Sequence, residues 1–172
     1  MNSEQKLSKK KELSSDCLIA IRIRGTVGLH PKIEHTLQLL RLIKIYNAII
    51  LENRPELMGM LRTVKDFITW GEINQENLDA IIMKRGRAQG NEKISDEFIQ
   101  KKLGFKSIGE LSNALLGKKI SLNMLWDSGI KPVFRLHPPK GGFKKSTKRP
   151  FKSHGELGYR GEDVNKLLRR MI

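Results

Sequence analysis

Alternation and helical spacing organise the first half of the chain. In Leu18-Ile19-Ala20-Ile21-Arg22-Ile23-Arg24, the isoleucines at 19, 21 and 23 share one face of an extended segment while Arg22 and Arg24 take the other, predicting a strand with a basic outer face. Gly25 and Gly28 loosen the chain before Pro31, a residue suited to a first helical turn. Ile33, Leu37, Leu40 and Ile43 then recur at helical spacing. Tyr46 to Leu51 is a short apolar run closed by Glu52-Asn53-Arg54-Pro55, as expected of a buried central strand. Asn53 with Glu56 has the form of a capping box, and Leu57, Met60 or Leu61, and Val64 give the stripe of a second helix. Phe67 to Ile73 reads as a third strand. The order strand-helix-strand-helix-strand predicts an open sheet with its helices packed on one face.

Beyond Asn74 the pattern turns helical: Asn77 to Arg85 stopped by Gly86, Ser95 to Leu103 by Gly104, and Ser107 to Leu116 by Gly117. Ser107 with Glu110 marks the start of the last of these. Val133 to Leu136 offers one more strand. From Pro138 to Pro150 apolar residues are few and chain breakers frequent, which predicts an extended loop that orders only on binding. Gly161 to Met171 closes the chain as a helix, with Glu162 and Asp163 at its positive end and Arg169 and Arg170 at its negative end. Four segments result: a polar leader, 1–15; a core domain, 16–73; a helical extension, 74–130; and a basic loop with a C-terminal helix, 131–172.

Charge changes the picture. The 172 residues include 33 Lys+Arg against 18 Asp+Glu, a formal net charge of +15. Such a density repels itself in a compact state and calls for a polyanionic partner. The excess concentrates between Lys131 and Arg170, where only Glu156, Glu162 and Asp163 oppose it. With 38% hydrophobic residues the chain can still build a core. The single cysteine, Cys17, allows no internal disulfide and no cysteine-based zinc site, which predicts a reducing, cytoplasmic location. The leader lacks the apolar centre of a signal peptide, and no apolar run reaches membrane-spanning length.

Catalytic motifs fail on spacing. Gly117-Lys118 resembles the end of a phosphate-binding loop, but the motif's first glycine falls at Ser112 and its Ser/Thr at Lys119. His30, His35, His137 and His154 show no metal-ligand spacing, so no metal is expected, and Gly25 and Gly28 fall short of the glycine fingerprint of a dinucleotide cofactor. A nuclease would need clustered carboxylates, whereas Asp96-Glu97 and Glu162-Asp163 sit in helix first turns that favour anions. The basic positions point elsewhere. Arg22 and Arg24, side by side on a sheet face, would fork onto phosphate oxygens. In the stretch from Lys140 to Lys152, Gly141 and Gly142 let the backbone approach a partner, Phe143 and Phe151 offer rings for stacking on bases, and Lys144, Lys145, Lys148 and Arg149 supply charge. Arg54, Arg62 and Lys65 on or near the second helix, and Arg160 after the loop, extend the candidate surface. Lys9, Lys10, Lys101 and Lys102 read as solvated helix-face charge.

Four stretches carry a family resemblance: Ile21-Arg22-Ile23-Arg24-Gly25; Thr36-Leu37-Gln38-Leu39-Leu40-Arg41-Leu42; Gly59 through Ile73; and Pro139-Lys140-Gly141-Gly142-Phe143. Together they resemble the universal large-subunit ribosomal protein family numbered thirty, from about Cys17 to the C-terminus. The long segment after Ile73 is similar to its archaeal and eukaryotic branches, and the short leader points to the archaeal one. The resemblance implies an α+β fold in which a three-stranded antiparallel sheet carries two helices on one face. It also implies a non-enzymatic role in the large subunit, contacts to the large rRNA near the 5S rRNA region, neighbouring ribosomal proteins as partners, and a monomer within the ribosome. By the same comparison Arg22, Arg24 and Gly25, Arg62, and Lys140 to Phe143 face RNA, with His30 and Lys32, on either side of Pro31, carried over as well. The alternatives are another nucleic-acid-binding protein or an RNA-processing enzyme; a membrane-surface role lacks its amphipathic basic helix.

Overall fold

The computed structural model describes residues 17–172, so the polar leader and Asp16 lie outside the described residues. Three central strands, β1 (Cys17–Arg22), β2 (Asn47–Glu52) and β3 (Ile68–Glu72), run antiparallel with β1 in the middle. The sheet does not stop there. β4 (Val133–Arg135) adds antiparallel to β2, β6 (Gly155–Tyr159) adds parallel to β3, and β5 (Ser146–Pro150) adds parallel to β6. The result is an α+β fold around a mixed six-stranded sheet of order β4-β2-β1-β3-β6-β5, not the three-stranded antiparallel sheet expected.

Helices cover both faces. On one, α1 (Pro31–Leu39) and α2 (Pro55–Thr63) pack Leu37, Leu40 and Leu61 against Leu18, Ala20, Ile49 and Trp70. On the other, α3 (Gln75–Arg85), α4 (Asp96–Leu103), α5 (Ile108–Leu116), α6 (Leu122–Asp127) and α7 (Val164–Met171) close over Cys17, Ile19, Ile21 and Ile50. Alternation along β1 therefore separates two cores rather than a core from solvent. All six of its residues are buried, including Arg22, so the predicted basic outer face does not exist. Each fully buried isoleucine or leucine here stabilises by about 1.5–3 kcal/mol, which makes the two-sided core the dominant favourable term.

Local signals were met unevenly. Ser107 Oγ accepts from Glu110 N at 3.3 Å and Glu110 returns a carboxylate oxygen to Lys106 N at 2.9 Å, so α5 begins where its cap predicts. The Asn53/Glu56 box does not form: Arg54 occupies the cap position without a side-chain bond, and Pro55 starts α2. α1 ends at Leu39 because Arg41 turns left-handed (φ 56°), which leaves Ile43 outside the helix and 58% exposed. The short α6 has no strong sequence signal; its first N–H, that of Leu122, donates to Glu52 Oε1 at 3.2 Å from across the fold.

The basic stretch is packed rather than loose. Gly141 and Gly142 adopt positive φ (74° and 67°) in a tight turn, Lys140 N donates to Arg170 O at 2.9 Å, and the Arg170 guanidinium donates back to the carbonyls of Lys140 and Gly142. Phe143 stacks on Tyr46 with ring centroids 6.5 Å apart. Strand β5 then follows directly. Low apolar content misled here because strand pairing is a backbone interaction that needs few apolar side chains once one edge is available. That edge is fitted closely: a Cβ on Gly71 of β3 would overlap the Gly161 carbonyl just beyond β6.

Candidate nucleic-acid interface

Strand register gives the sheet two unlike rims. Arg22, Asn47, Ile68, Arg135 and Gly155 stand at one end of their strands, and Cys17, Glu52, Glu72 and Tyr159 at the other. Around the first rim gather Arg24, Lys44, Arg135, the turn carrying Lys140 to Lys145, and the start of β5. Around the second lie Glu52, Glu72, Glu76 and Glu162. The first end of the sheet thus gathers cations, whereas at the second the carboxylates of Glu52 and Glu76 are ion-paired with Arg54 and Arg169.

Several predicted contacts belong to the interior instead. Arg22 is 2% exposed, and its guanidinium donates to the carbonyls of Leu42 and Ile43 (both 2.7 Å), Arg24 (2.8 Å) and Gly25 (3.1 Å). Burial pulls its pKa below the usual arginine value, partly offset by the charge of Glu34. A buried guanidinium with four of its five N–H groups engaged by backbone carbonyls cannot also fork onto phosphate. Arg160 is likewise enclosed: it pairs with buried Glu156, donates to the Glu156 carbonyl at 2.8 Å, and lies 4.8 Å from the Phe151 ring centroid. Phe143 is held by Tyr46, and Phe151 by Arg160 and by Lys145 Nζ at 4.6 Å, so neither ring is free for a base.

Other predicted residues stand open. Lys140, Lys144, Lys145, Lys148 and Arg149 are exposed, the last two on β5, whose outer edge pairs with no further strand among the described residues. Between Pro138 and Gly155 the chain contains no Asp or Glu. Gly141 and Gly142 form the exposed tip beside them. Arg24 is partly exposed, resting 5.1 Å from the Phe67 ring centroid and donating to Asp66 O at 3.3 Å, with Gly25 next to it. Lys32 is exposed on the first turn of α1, where His30 Nδ1 accepts from Lys32 N at 3.2 Å and so acts as the helix cap. Arg62 and Lys65 are exposed where α2 gives way to β3 at the basic rim. Arg54 sits at the opposite rim, ion-paired with Glu52.

A second basic feature escaped sequence reasoning. Arg41, Lys44, Arg85, Arg87, Lys131 and Arg135 line a groove of about 680 Å³ beside β4, with Ile43, Pro132 and Val133 among its apolar lining and no carboxylate in its wall. These residues come from three distant segments, so spacing along the chain carried no sign of them. Among the described residues no group of three or more His, Cys, Asp or Glu is arranged to hold a metal ion.

Comparison with known proteins converges on one family. Residues 18–68 match the family described as ribosomal protein L30p/L7e. Over most of its length the chain is 51% identical to the large ribosomal subunit protein uL30 of Staphylothermus marinus, covering 91% of this chain and 99% of that one. It is 48% identical to the uL30 of Hyperthermus butylicus, with 88% of each chain covered, and 45% identical to that of Archaeoglobus fulgidus, covering 88% and 97%.

Proposed function

The chain belongs to the uL30 family of large-subunit ribosomal proteins, and from that premise we propose that it is a non-enzymatic constituent of the ribosome that binds and bridges segments of large-subunit rRNA. The observation that carries the reading is the acid-free run from Pro138 to Gly155, which presents Lys140, Lys144, Lys145, Lys148 and Arg149 along an edge strand and its turn. A-form RNA hides its base edges in a deep groove, so such a strand engages phosphates and 2′-hydroxyls rather than sequence. Arg24, Lys32, Arg62 and Lys65 extend the contact from the other helical layer. Arg22 and Arg160 act one step back: each fixes backbone that the contacting residues depend on.

The four segments divide this work. Residues 16–73 form the scaffold, residues 131–172 the main RNA-facing margin, and residues 74–130 a helical cover that meets neighbouring ribosomal proteins. Exposed Met83 on α3 and Met124 on α6 support the last assignment, since adaptable apolar side chains suit protein contacts. Within the subunit the protein acts as a monomer near the 5S rRNA.

Fluorescence anisotropy with a large-subunit rRNA fragment tests the reading. Six to ten phosphate contacts predict an affinity loss of about 10³–10⁵ between 50 and 200 mM salt, and Lys148→Gln/Arg149→Gln weakens binding about tenfold with no change in stability. Affinity indifferent to salt sinks the proposal. The 5S placement has its own test: Cys17 is buried, so Ser146→Cys gives one accessible tether for a hydroxyl-radical probe. Cleavage in reconstituted subunits is expected in both rRNAs; cuts in the large rRNA alone remove the 5S assignment.

A further inference from the structure

We infer that the groove beside β4 is a second RNA-backbone site, separate from the β5 margin, and that it seats a short run of consecutive phosphates; this rests on the RNA-binding role proposed above. Six cations line it and no carboxylate does, an arrangement that repels itself unless a polyanion completes it. Four of them, Arg41, Lys44, Lys131 and Arg135, are exposed and make no side-chain hydrogen bond or ion pair among the described residues. The other two are anchored deeper. Arg85 donates to Ile172 O at 2.6 Å while its Nε is buried without a partner, and Arg87 donates to Gly86 O at 2.7 Å.

Backbone strain points to the same place. Arg41 adopts φ 56° and Tyr46 φ 62°, so both ends of the short loop that carries Lys44 hold left-handed conformations that side-chain-bearing residues resist. At Arg41, just past the end of α1, glycine is the residue helix-termination physics favours. An arginine kept in that position costs stability, and its contact with an anion in the groove accounts for it. The volume, about 680 Å³, is in the range of sites that enclose a nucleotide-sized ligand rather than a lone ion. Ile43, Pro132 and Val133 give the ribose a surface to rest on between phosphates. A site on the β4 side and another on β5, at opposite edges of a six-stranded sheet, explain physically how one small protein bridges two stretches of RNA.

The test uses the full chain and a labelled 20-nucleotide oligouridylate over a salt series. Lys44→Gln/Lys131→Gln/Arg135→Gln is expected to reduce the salt slope by about 2 and the affinity by about 30- to 100-fold, since each single-strand phosphate contact contributes about 0.7 to the slope. The control Lys101→Gln/Lys102→Gln/Lys106→Gln, which removes the same charge from the α4 end, should shift the slope far less. Arg41→Gly supplies an independent readout: the melting temperature rises by about 2–4 °C while affinity falls. If the groove variant merely matches the control, the groove inference is overturned while RNA binding through β5 stands; if the unmodified chain fails to bind, the parent reading fails too. Retained RNA binding by the groove variant together with lost binding of a polyglutamate 20-mer would reassign the groove to an acidic protein segment and likewise overturn it.

Discussion

The centre of the sheet and its β5 margin employ the same kind of side chain in opposite ways. In the centre, Arg22 ends a strand buried on both faces, and its positive charge is surrounded by four backbone carbonyls that belong to the loops on either side of α1. At the margin, Lys148 and Arg149 project from a strand with one neighbour and no charge partner among the described residues. The difference shows that a basic residue's role follows from what covers the strand, not from its alternation. A buried cation that lacks carbonyls or carboxylates is prohibitively expensive, so Arg22 and Arg160 are held by backbone carbonyls or a carboxylate, and the uncovered cations remain available to a polyanion.

The comparison breaks most readily at Glu156, which lets the margin exist. Its buried carboxylate pairs with Arg160 and accepts from Lys145 N at 3.1 Å, tying the start of β5 to β6. Glu156→Ala leaves the Arg160 guanidinium buried without its counter-charge, and the expected loss is about 3–5 kcal/mol in denaturant unfolding. If Glu156→Ala proves as stable as the parent, the margin is not built on a buried pair and its cations owe their placement to something else.

Arg22→Met is the next test and separates the two roles. The substitution preserves much of the side-chain volume but leaves the carbonyls of Leu42 and Ile43 without their donor, for an expected loss of about 2–3 kcal/mol. The RNA salt slope of the folded variant should be unchanged. A slope smaller by about 1 would mean that Arg22 touches phosphate after all.

How far the chain revealed this in advance depended on the range of the interaction. The strand-helix-strand-helix-strand order, the start of α5 at Ser107 and the glycine stops at Gly86, Gly104 and Gly117 were legible because each is decided within a few residues. The resemblance to the ribosomal family was legible in the Gly59 to Ile73 stretch. Burial of Arg22 was not, because alternation assigned the isoleucines of β1 to the first helical layer, whereas α1, α2 and their loops cover the Leu18, Ala20 and Arg22 face and the isoleucines meet helices from beyond residue 74. β5 and β6 were missed because a parallel pair at a sheet edge leaves little hydrophobic signature in Ser146 to Pro150. The groove was invisible for the same reason: Arg41, Arg87 and Lys131 are neighbours only after the sheet has formed.

The finest test lies at the seam where centre meets margin. Tyr159 closes β6 against β3, with its ring 6.3 Å from that of Trp70 and its hydroxyl donating to Glu72 Oε1 at 2.6 Å. That hydrogen bond, helped by partial burial and by the nearby carboxylates, raises its pKa to about 12. A folded pKa above the unfolded value near 10 means the bond's contribution is complete below about pH 10 and disappears as pH climbs toward 12. Because Tyr159 is 45% exposed, solvent screens the interaction, and Tyr159→Phe should cost less than about 1 kcal/mol at neutral pH. Tyr46→Phe leaves Tyr159 as the one tyrosine, so its ionisation can be followed by absorbance. Titration near 10 would show that the hydroxyl is not held by Glu72. Titration near 12 would place a real, if small, restraint on the strand that carries the basic margin away from the buried centre.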